Sequence, residues 1–171
     1  YGTEDTLFIG WNSATSWEKQ SLVRFSMPDI PHEGCTRTIG YWKTHAGFGP
    51  QDDMVTPLLP IWLGTAAGAK SVQVTTAQMA VDYLSQQVYG TPKNGITKLY
   101  AQLLGAKLNL ASGASGAEIA AAMTAADAFL ATHNHLDWGS LTKAEKNMVL
   151  GWQYTLDQYN NGLIGPGHCD E

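Results

Sequence analysis

Cys35 and Cys169 are the only two cysteines in this 171-residue chain, and their placement constrains its fold more than any other feature. They do not form a Cys-x-x-Cys pair, so the spacing of zinc sites and thioredoxin-like centres is missing. A bridge between them would close nearly the whole intervening chain into one covalent loop. Loop-closure entropy for so long a loop is worth about 4–5 kcal/mol, less any strain. Such a bridge would belong to an oxidising compartment. The other reading is two unrelated buried thiols.

The chain falls into two unequal parts. Leu7, Ile9 and Trp11 alternate with Thr6, Phe8 and Gly10, and Val23, Phe25 and Met27 alternate with Leu22, Arg24 and Ser26. Both runs have the two-residue period of strands. The run Met27-Pro28-Asp29-Ile30-Pro31 then stops regular structure, because each proline removes a donor and holds the preceding residue extended. Residues 1–31 are therefore expected to be a β-strand segment. An isolated hairpin is marginal in water, so Leu7, Ile9, Trp11, Val23, Phe25 and Met27 need a partner surface.

Residues 32–171 are expected to form a disulfide-closed helical domain. From Cys35 to Gly68 the pattern is irregular and rich in aromatics, with one short helix expected near Tyr41 to His45. Thr75 or Thr76 can cap a helix running to about Tyr89, with Met79, Val81, Tyr83, Leu84 and Val88 facing a core. A second helix runs from about Ile96 to Leu108 on Leu99, Leu103, Leu104 and Leu108. Ser115-Gly116-Ala117-Glu118 and Thr142-Lys143-Ala144-Glu145 both carry the capping-box pattern and start two more. The third of these helices faces the core with Ile119, Met123, Ala126, Phe129 and Leu130. The fourth uses Met148, Trp152, Leu156 and Tyr159. The expected fold is mainly α: a compact four-helix bundle with an irregular aromatic-rich lead-in and a short N-terminal β-strand segment.

The formal net charge of −5 argues against nucleic acid and against anionic membrane surfaces, which select basic faces. No apolar run is long enough to span a bilayer. The chain opens on Tyr1 without a charged n-region and apolar core, and two origins fit this: a removed signal peptide, or release from a longer precursor.

The run Cys35-Thr36-Arg37-Thr38-Ile39-Gly40-Tyr41-Trp42-Lys43-Thr44-His45 resembles the opening of a poorly characterised domain of bacterial secreted and cell-surface proteins, marked by a Gly-Tyr-Trp-Lys-x-His motif. The stretch Thr155 to Cys169, with Asn160-Asn161-Gly162 and Gly165-Pro166-Gly167-His168-Cys169, resembles its terminal motif, and Ala101 to Asn109 is similar to its middle. The resemblance spans about residues 35–169. It implies secretion and bracketing cysteines and brings no established activity. Tyr1-Gly2, Leu7-Phe8-Ile9-Gly10 and Ser21-Leu22-Val23-Arg24-Phe25 are similar to part of the β-module called DNRLRE of bacterial surface and matrix proteins. The later strands of such a module have no counterpart here, so the segment would borrow them.

Three groups of residues could carry chemistry. His133 and His135, with His45 or His168 and Asp137, could ligate a metal; without a third ligand at diagnostic spacing, a polar helix C-terminus is the simpler account. Lys43, His45, Asp52 and Asp53 could form an acid/base site, or cap and pair locally while Tyr41 and Trp42 anchor the lead-in. Trp11, Trp17 and Trp138 lie in polar surroundings and could stack on sugars, whereas Trp42, Trp62 and Trp152 sit among apolar residues and belong in a core. Nucleophile elbows, Walker loops, Rossmann glycines and zinc-binding His-Glu-x-x-His helices are absent from the sequence.

The function expected from the sequence is that of an extracellular structural or assembly subunit, not an enzyme, with no cofactor or metal. Its N-terminal strands would complete a sheet on a neighbour, in a homopolymer or on another surface protein. The rival expectation is a secreted carbohydrate-binding or adhesion module released from a larger protein. A metal-dependent enzyme using His133 and His135 is a third.

Overall fold

The structure, a computed structural model, describes residues 34–87 and 92–170. They belong to one compact, mainly helical unit, Glu33–Glu171. Five α-helices lie among the described residues: α1 (Ile39–Thr44), α2 (Ala77–Leu84), α3 (Gly95–Ala111), α4 (Ala120–Leu130) and α5 (Lys143–Asn160). Between α1 and α2, strands β1 (Ile61–Leu63) and β2 (Val72–Val74) pair antiparallel, with Trp62 opposite Gln73. The strands expected around Leu7, Ile9 and Trp11 and around Val23, Phe25 and Met27 lie outside the described residues, as does Trp17. The described sheet is thus inside the helical unit, and α1 stands where the short lead-in helix near Tyr41 to His45 is expected.

Helix α3 is the centre of the unit. Its leucine spacing predicts one apolar face, yet 13 of its 17 residues are buried. A helix apolar on nearly all sides must be surrounded, and α1, α2, α4, α5 and β1 all pack against it. Ile96, Leu99, Tyr100, Leu103, Leu104 and Leu108 are fully buried. Asn94 caps its N-terminus, accepting from the Ile96 and Thr97 N–H groups at 2.9 and 3.1 Å, while the Thr97 hydroxyl accepts from the Asn94 N–H at 2.9 Å.

Helix α5 is the main neighbour of α3. Its Thr142/Glu145 capping box forms: the Glu145 N–H donates to Thr142 Oγ1 at 3.2 Å and the Thr142 N–H to Glu145 Oε2 at 2.7 Å. Its buried stripe is Val149, Leu156 and Tyr159, with Trp152 partly buried against the core. Met148, expected in that stripe, is 48 % exposed. Val149, the next residue along, takes the fully buried position at this end of the stripe.

Two other expectations change. Helix α2 is capped by Thr76, whose Oγ1 accepts from the Met79 N–H at 3.2 Å, but it ends at Leu84. Gln86 then takes φ 59°, left-handed backbone that stops a helix. Ala80, Tyr83 and Leu84 are its buried residues, with Met79 and Val81 packed partly against the core; Val88 and Tyr89 lie outside the described residues. Before α4, the Ser115/Glu118 box does not form. Gly116 stands at the N-cap of a 3-10 turn, Ala117–Ile119, with no side-chain cap. Ser115 instead offers its carbonyl to Tyr159, whose hydroxyl donates at 2.6 Å. Burial, helped by Glu118, pushes that hydroxyl up to about 12, so it remains a donor. Ile119, Ala126 and Leu130 are fully buried, while Met123 and Phe129 pack partly against the core.

A partly buried ion pair joins the small sheet to the helices. Lys107 of α3 donates to Asp127 of α4 at 2.7 Å and to the Trp62 carbonyl of β1 at 2.6 Å. The Gly64 N–H donates to the same Asp127 oxygen at 2.9 Å. Each charge thus has further hydrogen-bond partners, which a buried pair requires.

The contrast between the leucine hub and the displaced stripe is measurable. Leu103→Ala should destabilise the unit by about 2–5 kcal/mol in urea unfolding, the cost of a large-to-small change in a filled core. Met148→Ala should stay within about 0.5 kcal/mol of the parent.

Candidate functional site

The chain enters and leaves the unit at one place. Cys35 and Cys169 form a disulfide with Cα atoms 4.8 Å apart. Beside it, the Thr36 N–H donates to the Gly167 carbonyl at 2.8 Å and the Cys169 N–H to the Thr36 carbonyl at 3.0 Å, a parallel bridge between Thr36 and His168. Gly162, at φ +67°, turns the chain after α5 so closely beneath the His168 backbone that a side chain there would collide with it.

The inbound segment around Thr36 and Arg37 is also tied to α3. Asn109, fully buried, accepts from the Arg37 N–H at 2.8 Å and donates to the Arg37 carbonyl at 2.9 Å. Its Oδ1 also accepts from the Trp42 indole at 3.1 Å, and its Nδ2 donates to Asn160 Oδ1 at 3.0 Å. Asn160 passes the pairing on, donating to the Gln102 carbonyl and to Gln102 Oε1 at 2.9 and 2.8 Å. Gln102 Nε2 donates to Asp157 at 2.7 Å. Gly105 makes the crossing possible: a Cβ there would lie 3.0 Å from Asn160 Nδ2 and 2.9 Å from Ile39 Cγ2.

Helix α1 carries the Gly-Tyr-Trp-Lys-x-His motif. Trp42 is 1 % exposed and anchors it in the core. Thr38 caps it, accepting from the Tyr41 N–H at 3.1 Å. The outer side holds a stack: the Arg37 guanidinium lies 4.1 Å from the Tyr41 ring centroid, and the His45 ring stacks on Tyr41 at 3.8 Å and 17°. His45 Nδ1 sits 2.9 Å from the Tyr41 carbonyl and 3.2 Å from Thr44 Oγ1. Along this side runs a shallow groove of about 850 Å³ lined by Arg37, Tyr41, Lys43, His45, Gln51 and Asp170. An adjoining depression of about 510 Å³ shares Tyr41, His45 and Gln51 and reaches Asp52 and Met54.

The structure does not bring Asp53 into the acid/base set: Lys43, His45 and Asp52 border the groove and its extension, and Asp53 does not. Asp53 accepts from the Val55 and Thr56 N–H groups, both at 3.0 Å, and the hydrogen bonds from Thr56 hold its carboxyl below the ordinary value. That is a turn cap. Lys43 and Asp52 both border the groove, in its two adjoining parts.

Nor are the histidines gathered. His133 stacks on Phe129 at 4.3 Å and 6°, with Nδ1 2.9 Å from Thr132 Oγ1. His135 opens the 3-10 turn His135–Ser140, where burial pushes its pKa down against the opposing pull of Asp137. Asp137 pairs with Lys70 at 2.6 Å and accepts from the Asn134 N–H at 2.8 Å. His168 places Nδ1 2.8 Å from the Cys169 carbonyl. Among the described residues, no group of three or more His, Cys, Asp or Glu side chains is arranged to hold a metal ion.

Trp138, expected to be exposed, is half-buried: its ring packs on Gly95, and Lys146 lies over it at 5.6 Å. Trp42 is in the core, and Trp62 and Trp152 are partly buried. Trp11 lies outside the described residues. Among the described residues, no helix is long and apolar enough to cross a membrane. Comparison with protein-family models, curated proteins and solved structures finds no match to this chain.

The Lys70–Asp137 pair gives the unit a defined acid sensitivity. Hydrogen bonds from Lys70, and next from the Asn134 N–H, hold the Asp137 carboxyl below its ordinary 3.8. A carboxyl with a depressed folded pKa stabilises the fold above the unfolded value and loses that contribution as pH falls through the folded one. As pH drops from about 4 toward about 2, the parent should therefore lose stability more steeply than Asp137→Asn. Chemical denaturation at a series of pH values reads the two slopes.

Proposed function

We propose that this chain is an extracellular structural subunit, a component of a cell surface or filament, whose N-terminal strands complete a sheet on a neighbouring molecule. The observation that carries the proposal is the closure of the helical unit at its ends by the Cys35–Cys169 disulfide. Disulfides persist in oxidising, extracytoplasmic settings, and the location agrees with what the Gly-Tyr-Trp-Lys-x-His resemblance implies. The described core is built from residues between Trp42 and Tyr159. Their alternation at Leu7, Ile9 and Trp11 and at Val23, Phe25 and Met27 supports strand addition, in which main-chain hydrogen bonds give affinity and alternate side chains fill pockets. Head-to-tail donation that does not close into a ring builds a filament.

A second reading, a secreted module for polysaccharide or adhesion, is favoured by the open polar groove along α1. It does not compete with assembly for the same residues.

Strand addition has a direct test. Phe25→Asp in the full chain puts a charge on the apolar face of the second strand. Light scattering and negative-stain microscopy should show assemblies of the parent chain and monomers of the variant. Assemblies of unchanged size and form in the variant would rule out the pairing.

A further inference from the structure

We propose that the groove along α1 binds a saccharide chain in which a uronic acid alternates with neutral sugars, Arg37 and Lys43 taking the carboxylate. The proposal rests on the second reading above and narrows it to one face and one ligand chemistry.

The groove presents a guanidinium held in advance. The Arg37 main chain is fixed on both sides by Asn109, and its guanidinium rests on Tyr41, itself stacked on His45. His45 cannot swing freely, because Nδ1 sits within hydrogen-bond distance of the Tyr41 carbonyl. A guanidinium held over a ring face by cation–π attraction still has N–H groups to offer a planar, two-oxygen acceptor. Holding it there beforehand lowers the ordering cost of binding. Lys43, exposed in the same groove, adds a second positive charge. The ion pairs among the described residues are Lys70–Asp137 and Lys107–Asp127; neither Arg37 nor Lys43 takes part in one.

The rest of the lining selects against a uniformly acidic chain. Asp170 borders the same groove and Asp52 its extension, so a ligand charged at every unit would meet carboxylates beside the cations. Sugar hydroxyls, by contrast, donate to carboxylates, and Gln51 supplies both a donor and an acceptor. An isolated carboxylate flanked by hydroxyl-bearing rings satisfies all of these groups together. The shallow, open form admits an extended polymer rather than an enclosed small molecule. With a net charge of −5, the chain as a whole repels polyanions, so attraction must come from the local cations and weaken with salt.

The test uses the oxidised full chain and three probes in isothermal titration at low salt. One is a hexasaccharide alternating glucuronate with N-acetylglucosamine. The others are the neutral N-acetylglucosamine hexamer and a hexaglutamate peptide. The alternating hexasaccharide should bind at least tenfold more tightly than either of the others. Arg37→Gln and Lys43→Gln should each weaken it about tenfold while melting temperatures stay unchanged, and Lys146→Gln should leave binding as in the parent. Equal binding of the neutral hexamer would overturn the carboxylate assignment and leave the polysaccharide reading standing. Hexaglutamate binding as tightly as the sugar would overturn the saccharide assignment in favour of an acidic peptide. Binding that survives both glutamine changes would remove the site from the groove. No binding of any probe would end both this proposal and the reading it rests on.

Discussion

A buried carboxamide has two donors and two acceptor positions to satisfy, and each one left bare costs about 1–3 kcal/mol. Asn109 fills all four: two from the Arg37 main chain, one from the Trp42 indole and one from Asn160. Three elements must therefore arrive in register at one point of α3. The inbound segment must present Arg37, α1 must present Trp42, and α5 must present Asn160. Asn160 extends the demand to Gln102 and through it to Asp157. Apolar packing around α3 tolerates small slides between helices, whereas a chain of amides at 2.7 to 3.1 Å does not. Hydrophobic burial supplies the drive to fold, and the amides fix which arrangement results.

The clamp at the ends follows from that register. With Arg37 held like a strand residue by Asn109, Thr36 is positioned to exchange main-chain hydrogen bonds with Gly167 and Cys169, and Cys35 meets Cys169. The disulfide thus closes a geometry that the amides already favour. Cys35 is exposed whereas Cys169 is 6 % exposed, so the bond lies at the rim of the unit. The groove along α1 begins beside this rim.

Much of the helical unit is legible in the sequence because its signals are local. The Thr142/Glu145 box, the Thr76 cap and the leucine spacing of α3 each act within a few residues. The failures have two physical causes, the choice made by a distant partner and elements too short to show a period. Ser115 carries the same box pattern as Thr142, but its carbonyl is engaged by Tyr159 and the turn before α4 becomes 3-10. The pairing of Ile61–Leu63 with Val72–Val74 is missed because a three-residue strand has no period to detect. Gln102, Asn109 and Asn160 look like ordinary polar helix positions, and only the dense apolar surroundings of the first two on α3 hint that they are inside. In the groove, Lys43 and His45 stand out in sequence. The placement of the Arg37 guanidinium over Tyr41 does not, since it requires the two side chains to turn to the same side.

Native-state hydrogen exchange of the oxidised chain tests the central role of Asn109 most directly. If Asn109 makes the inbound segment part of the core, the Arg37 amide and the Trp42 indole N–H open only with the unit. They should then be protected to the same free energy as the Leu103 and Leu104 amides of α3. Arg37 and Trp42 protons that exchange at loop rates while α3 stays protected would contradict the account, leaving the inbound segment a surface feature held by the disulfide and the Thr36 bridge.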